Sequence, residues 1–317
     1  MIIVTGATGF IGTYLIDQLV KDGVDVLACG RSKAGEEYYK NIGVPFIRLD
    51  VTKEEDFNKL PKKNVNAVVH LACLIPAASK EDNAIEYLKT NTIGTVNALE
   101  YCRKYNIKKF IFTSSHFALE GLWNDKQTPI SEEMGIKFKY TGGHAKYIIS
   151  KVAAEEYVRH YMEEYGMQCI VLRLSGVRGV GRYESGFELF INKAKKGEPI
   201  EIWGDNSKVW DNIYVKDVVQ GIILALKNDT AKGFYNLSSG NPMHLKDEVE
   251  AIVKVFSNKN NPSKIILAPQ KEGGIQKSYV YDITKIKKEL GFVPKYLTLA
   301  MVKDYKKEME ARRSGEN

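Results

Sequence analysis

The stretch Val4-Thr5-Gly6-Ala7-Thr8-Gly9-Phe10-Ile11-Gly12 decides how this chain folds. It joins the apolar run "MIIV" to the amphipathic segment "IGTYLIDQLVKDG". An apolar run, a glycine-rich turn and a helical pattern in that order open a strand–turn–helix unit. Glycines at three-residue steps let the backbone turn tightly and approach a pyrophosphate, whose charge is held by N–H groups and the helix dipole. A glycine trio can also serve only a turn and close helix–strand packing. Its place after a strand and before a helix favours a dinucleotide site that uses Gly6, Thr8, Gly9, Phe10, Ile11 and Gly12.

The same rhythm continues outward from the turn. Apolar runs "VDVLACG", "PFIRLDV", "NAVVHLAC", "KKFIFTSS" and "MQCIVLRL" read as strands. Between them lie "TKEEDFNKL", with Thr52 as its expected N-cap, "AIEYLKTNTIGTVNALEYCRKYN" and "HAKYIISKVAAEEYVRHYMEEYG", which read as helices. Strand–helix alternation implies parallel βαβ units, and near-continuous apolar strands imply a sheet covered on both faces. The expected fold is α/β, a doubly wound parallel sheet of Rossmann type with a smaller C-terminal substrate lobe. Residues 1–174 are expected to form the dinucleotide-binding domain. From 175 the rhythm loosens, so 175–317 are expected to form mainly the lobe, with 216–238 returning to the first domain.

With 317 residues, 44% of them hydrophobic, the chain can bury a sizeable core. The 46 basic and 39 acidic residues leave a formal charge of +7, spread along the chain. That suits a solvated surface or a small anionic substrate, and no nucleic-acid motif is present. No apolar run reaches the ~18 residues that span a bilayer, and the chain opens directly on a strand, so a cytoplasmic protein is expected. The four cysteines lack any CxxC spacing, which argues against a disulfide framework or a zinc site, and no metal is expected. Cys29 and Cys73 read as buried strand residues.

Taken in order, the motifs resemble the short-chain dehydrogenase/reductase superfamily of the extended type, which contains nucleotide-sugar epimerases, dehydratases and reductases. "TGATGFIG" resembles its cofactor turn. "RLDVT" resembles the segment in which Asp50 and Val51 border the adenine. "HLAC" resembles the fourth-strand motif, bringing Leu71, Ala72 and Cys73 beside the cofactor. "NTIGT" resembles N-x-x-G-T, with Asn91 supporting the site. "FTSS" places Thr113 and Ser115 at the end of the fifth strand, and "YIISK" resembles Y-x-x-x-K. "LRLSGVRGVG", "GFYNLSSG" and "DITKIKKELGFVP" resemble later signatures, so the resemblance spans essentially the whole chain.

The resemblance implies a catalytic set of Ser115, Tyr147 and Lys151. Tyr147 would be the acid/base, Ser115 would bind the reacting oxygen, and Lys151 would hold the nicotinamide ribose. Residues at i and i+4 share a helix face. A phenol titrates near pH ~10, and a neighbouring ammonium is expected to lower that value. Ser114 is the alternative to Ser115, and strand alternation turns one of the two away. Tyr140 is a rival tyrosine whose i+4 neighbour is His144. His70 reads as a core histidine. At the end of the second strand Gly30 stands where NAD-binding folds place an acid for the ribose 2′-hydroxyl. Arg31 and Ser32 follow it, and a guanidinium suits a 2′-phosphate. NADP(H) is therefore expected over NAD(H), unless Arg31 only faces solvent.

For the substrate, the resemblance implies hydride transfer at C4 of a nucleotide-linked sugar, by a 4-epimerase or a 4-keto reductase. Two departures bear on it. Trp210 stands where the family's R-D-F-x-x-V-x-D has arginine, and "LSGVRG" has Gly176 and Arg178 where asparagine and tyrosine are usual. Arg178, Arg182 or Lys208 could supply the missing charge, Trp210 could stack on a ring or pack between lobes, and His116 could face the substrate. The alternatives are an NADPH-dependent reductase of a non-nucleotide carbonyl compound and a non-catalytic cofactor-binding regulator. The family's habit implies a homodimer through the two long helices.

Overall fold

The computed structural model describes the chain apart from residues 77–82, 125, 127, 183–185, 259, 272–276 and 315–317. The first half runs β1 (Ile2–Thr5), α1 (Phe10–Lys21), β2 (Val26–Gly30), α2 (Lys33–Asn41), β3 (Phe46–Arg48), β4 (Ala67–His70), α3 (Ala84–Tyr87), α4 (Gly94–Lys104), β5 (Lys109–Ser115), α5 (Ala145–Glu164) and β6 (Gln168–Leu174). Then come β7 (Gly176–Arg178), α6 (Gly186–Lys196), β8 (Ile200–Trp203), β9 (Val209–Trp210), β10 (Asn212–Tyr214), α7 (Val215–Lys227) and β11 (Gly233–Leu237). The chain closes with β12 (Met243–His244), α8 (Leu245–Phe256), β13 (Ile265–Ala268), α9 (Thr284–Leu290) and α10 (Thr298–Ser314).

Seven strands form one sheet in the order β11-β6-β5-β4-β1-β2-β3, and every pairing within it is parallel. The α/β doubly wound fold expected from the alternation is the fold observed. Successive strand residues face opposite ways, so each strand feeds two cores. Val4, Ala28, Val69, Ile111 and Ile170 belong to one apolar cluster. Ile3, Leu27, Val68, Phe110 and Val171 belong to the other. The first cluster continues without a break into Phe187, Ile202, Val249 and Phe256 of the C-terminal elements, so those elements share the sheet's core. Three two-stranded sheets, β10–β7, β12–β9 and β13–β8, shape that second half. Strand order reverses between β1 and β4, which opens a crevice at the carboxyl ends of those strands.

Three local expectations are corrected. Thr52 caps no helix: its hydroxyl donates to Asp50 Oδ1 at 2.8 Å, and a 3-10 turn begins only at Glu54. The helix expected over "AIEYLKTNTIGTVNALEYCRKYN" does form, but Leu88–Ile93 is π-helical between α3 and α4. Hydrophobic periodicity does not distinguish one widened turn from its neighbours. Cys73 is not a strand residue, because β4 ends at His70 and Cys73 lies half-buried in the loop beyond it.

One buried ion pair ties α5 to the sheet. Arg173 on β6 and Glu155 on α5 are 2% and 0% exposed, and the guanidinium donates to both carboxylate oxygens at 2.8–3.3 Å. Phe234 of β11 lies under Arg173 at 5.0 Å. Removing one partner strands the other charge in the core. Glu155→Ala is therefore expected to lower unfolding free energy by about 3–5 kcal/mol, read from the midpoint of a urea denaturation curve. A loss under about 1 kcal/mol would show that the pair contributes little.

Candidate functional site

The crevice begins where α1 begins. Gly9 is the N-cap residue of α1 and gives no side-chain cap, which leaves the first N–H groups of the helix without acceptors. Gly6 adopts φ +70°, and a Cβ there would lie 2.6 Å from Ala72 N. A Cβ on Gly12 would lie 2.3 Å from Gly6 O. These contacts press the turn against the exit of β4 and aim the helix end into a cleft of about 550 Å³. Among its lining residues are Thr8, Gly9, Arg31, Asp50, Leu71 and Cys73. A second cleft, of about 520 Å³, lies at the opposite edge around Met1, Asp25 and Lys109, away from the carboxyl ends where ligands bind in such sheets.

The sequence-derived cofactor residues gather here with distinct duties. Thr8 fills the space beside Gly30, whose Cβ would meet the Thr8 hydroxyl at 3.0 Å. Arg31 is exposed and lines the cleft. Ser32 also lines the cleft, and its hydroxyl accepts from Gly35 N at 3.2 Å at the start of α2. Asp50 Oδ1 accepts from Thr52 N and its hydroxyl, which leaves Oδ2 available. Val51 borders the same cleft and accepts from Asn97. Asn91, in the π-helical stretch, accepts from Leu74 N at 2.7 Å and donates to Leu74 O and Ser150 Oγ. It thus ties the loop after β4 to α5. Phe10 and Ile11 start α1 and pack on the core. An uncapped helix end, a glycine cradle and a cleft at the strand reversal fit a dinucleotide.

Tyr147 and Lys151 lie on the first turns of α5 and are 8% and 2% exposed. The Tyr147 phenol meets the side chains of Ser115 and Cys73. Lys151 Nζ donates to Thr113 O at 2.7 Å and lies 4.2 Å from the Phe112 ring. Burial pushes the phenol well above its usual value, Cys73 adds to this, and Ser115 and Arg182 oppose it. The ammonium expected to do so is drawn instead to the Thr113 carbonyl, and burial pulls its own value down. Ser115 also caps the 3-10 turn that follows, accepting from Phe117 N at 3.3 Å. The Ser114 hydroxyl is buried with no partner, so alternation selects Ser115. Tyr140 is 75% exposed and stands outside the site. His70 is half-satisfied: Nδ1 bonds Thr5 Oγ1 at 2.8 Å, and Nε2 has no partner.

The substrate-side residues divide. His116 is packed among Phe117, Trp123, Tyr279 and Tyr281 and bonds Tyr281 at 3.0 Å. Burial, with Arg182 adding, pulls its value down to about 3, so it is a neutral packing residue. Arg178 is already engaged: Nε and Nη2 donate to Glu248 at 3.0 and 3.2 Å, with Trp210 and Phe187 rings at 5.1 and 5.4 Å. Trp210 therefore stacks on an arginine in the second half of the chain. The Arg182 guanidinium donates to Val177 O, and burial, with Arg178 adding, pulls its value down to about 10.

A family model described as "NAD dependent epimerase/dehydratase family" matches residues 2–238. The chain belongs to the NAD dependent epimerase/dehydratase family. It is 30% identical to a "Putative UDP-glucose 4-epimerase" of Methanocaldococcus jannaschii over 300 residues, 93% of each chain. The structure of a UDP-glucose 4-epimerase with UDP-glucose from Thermotoga maritima superposes with a TM-score of 0.80 at 26% identity, covering 100% of this chain and 99% of that one. A Thermus thermophilus UDP-glucose 4-epimerase in complex with NAD has the same fold, with a TM-score of 0.80 at 23% identity over 98% of both chains.

Within this epimerase/dehydratase family member, two site neighbours escaped the sequence reading. Glu248 occupies Arg178 from α8, 70 positions away. Tyr279 donates to Asn212 Oδ1 at 3.3 Å and stands between Arg178, Arg182 and His116. Cys73 adjoins both Tyr147 and Lys151. No local motif marks the first two. Cys73 was legible as a cofactor neighbour, but not as a contact of the catalytic pair.

Proposed function

We propose that this protein transfers hydride at C4 of a nucleotide-linked sugar, as a 4-epimerase or a 4-keto reductase. The observation that carries the reading is the Tyr147 hydroxyl set against Ser115, with Cys73, which lines the dinucleotide cleft, adjoining both Tyr147 and Lys151. Bound in that cleft, a nicotinamide dinucleotide accepts or supplies the hydride of C4. Ser115 holds the sugar's 4-oxygen, and Tyr147 takes or returns its proton. Arg182 and the Ser115 hydrogen bond favour the phenolate that this requires. Lys151 orients the cofactor ribose while anchored on Thr113 O. The seven-stranded half carries the cofactor and the C-terminal elements carry the sugar nucleotide.

NADP(H) is the favoured cofactor. Gly30 ends β2 without a carboxylate, and Arg31 lines the cleft one residue later. The homodimer is proposed through α3–α5, where Ile85, Leu88, Ile93, Ile149 and Tyr157 are all exposed apolar side chains.

Incubation with UDP-, GDP-, CDP- and dTDP-sugars, followed by NMR of the product and by NADPH absorbance, tests the reaction. A C4-inverted or C4-reduced sugar is expected, with at least about 10²-fold loss in Tyr147→Phe. Turnover of a simple ketone with none of any sugar nucleotide would sink the reading. Calorimetric titration is expected to show NADPH binding tighter than NADH, and Arg31→Ala to weaken NADPH about 10–100-fold while sparing NADH. Equal affinities in the unaltered protein would remove the Arg31 argument. Sedimentation is expected to give a dimer that Leu88→Glu with Ile149→Glu converts to monomer, and a monomeric unaltered protein would refute the interface.

A further inference from the structure

The loop after β4 is fixed on both sides of Cys73. Before it, Ala72 N lies under the glycine turn, 2.6 Å from where a Cβ on Gly6 would stand. After it, the Asn91 side chain accepts from Leu74 N at 2.7 Å and donates to Leu74 O at 3.0 Å. Asn91 also donates to Ser150 Oγ at 2.9 Å, and that hydroxyl donates to Tyr147 O at 2.7 Å. The loop is thereby stapled to the turn of α5 that carries Tyr147 and Lys151. The Cys73 side chain packs on the cluster of Tyr87, Tyr147 and Ile148 and lines the dinucleotide cleft. Its thiol donates to Leu74 O at 3.5 Å, which leaves the sulfur lone pairs to accept. That sulfur is hydrogen-bonded to both Tyr147 and Lys151.

Two acids therefore meet one ammonium. Lys151 Nζ uses one of its three donors on Thr113 O at 2.7 Å, and the sulfur takes another. A thiol ordinarily ionises near pH ~8.5 and a phenol near pH ~10, so the thiol is the stronger acid. Where two acids interact, the first to lose its proton holds the other's in place. Burial pushes the Cys73 thiol up, while the Lys151 ammonium and the Tyr147 hydroxyl draw it down. The surrounding groups leave this contest in place. Tyr87 of α3 meets the Tyr147 ring edge-on at 6.3 Å, and Arg182 favours the Tyr147 phenolate. Behind Lys151, Glu155 is held by Arg173, and His70 of β4 is neutral, burial drawing it down to about 3.

We propose that Cys73 is a positioning residue of the catalytic pair, its sulfur holding the Lys151 ammonium in competition with the Tyr147 oxygen. The inference rests on the reading of Tyr147 as the acid/base of the C4 chemistry proposed above. By holding the ammonium, the thiol sets the pH above which the tyrosine takes a proton. Cys29, Cys102 and Cys169 are fully buried, whereas Cys73 is half-buried in the wall of the cleft, where a thiol reagent reaches it.

Alkylation of the full chain by iodoacetamide, followed by mass spectrometry as pH is raised, reads the thiol without any substrate. The thiolate is the form that reacts. The pH midpoint of the Cys73 rate is expected to rise by about one unit in Lys151→Met, and to rise also in Tyr147→Phe, because each removes a group that favours the thiolate. A midpoint unmoved in either variant, or no labelling of Cys73, would overturn the proposal. The second measurement is the pH profile of kcat/KM with a sugar nucleotide that is turned over. Cys73→Ala removes the competitor, so Tyr147 ionises more readily and the acid limb is expected to move down by about one pH unit. Cys73→Ser keeps the side chain's size without an acidic group and is expected to give the same shift. An acid limb unmoved in Cys73→Ala, whatever the loss of rate, would make the thiol a packing residue and overturn the proposal. If no sugar nucleotide is turned over, the C4 reading fails by itself, and the alkylation midpoints still decide whether sulfur, phenol and ammonium are coupled.

Discussion

Everything in the site hangs on one close approach, that of the glycine turn to the exits of β1 and β4. Side chains at Gly6 or Gly12 would drive a carbon into Ala72 N or Gly6 O, at 2.6 and 2.3 Å. Because those carbons are absent, α1 starts directly over the sheet's point of strand reversal, its first N–H groups uncapped. The same packing brings Ala72 under the turn, and Cys73 after it lines the cleft and adjoins Tyr147. Asn91 then closes the arrangement from the side, joining the loop after β4 to Ser150 of α5. One steric constraint thus positions both the dinucleotide cleft and the helix that carries Tyr147 and Lys151.

Burial sets the chemistry of what is placed there. The parallel sheet is covered on both faces, and Ser115, Tyr147 and Lys151 at its carboxyl end are buried. In such surroundings a phenol resists ionisation and an ammonium sheds its proton more readily. The chain answers with short-range partners: Thr113 O for Lys151, Ser115 for Tyr147 and Glu248 for Arg178. Arg182 lacks such a carboxylate among the described residues. Its field reaches Tyr147 in the direction that favours the phenolate.

The patterns with short-range causes were legible in the sequence. Strand–turn–helix order, the glycine steps and the alternation that gives the parallel sheet follow from local periodicity and motif order. Partnerships across the fold were not. Arg178 was a candidate for the substrate's charge because nothing in "LSGVRG" announces Glu248 on α8. His116 was a candidate because its sequence neighbours are serines and a phenylalanine. Its spatial neighbours are Trp123, Tyr279 and Tyr281, and they exclude the water that a titrating imidazole needs.

By itself the sequence determined the fold class and the family to which the chain belongs. Each of these depends on residues close together in the chain, where spacing translates directly into shared faces and shared turns. Tertiary structure alone decided which charges are neutralised and which are left over. Ion pairs and desolvation depend on distances between elements as far apart as α5 and β6, or β7 and α8. That accounting holds Arg178 on Glu248 and packs His116 among aromatic rings, because a charge buried by packing is balanced only by what packing brings beside it.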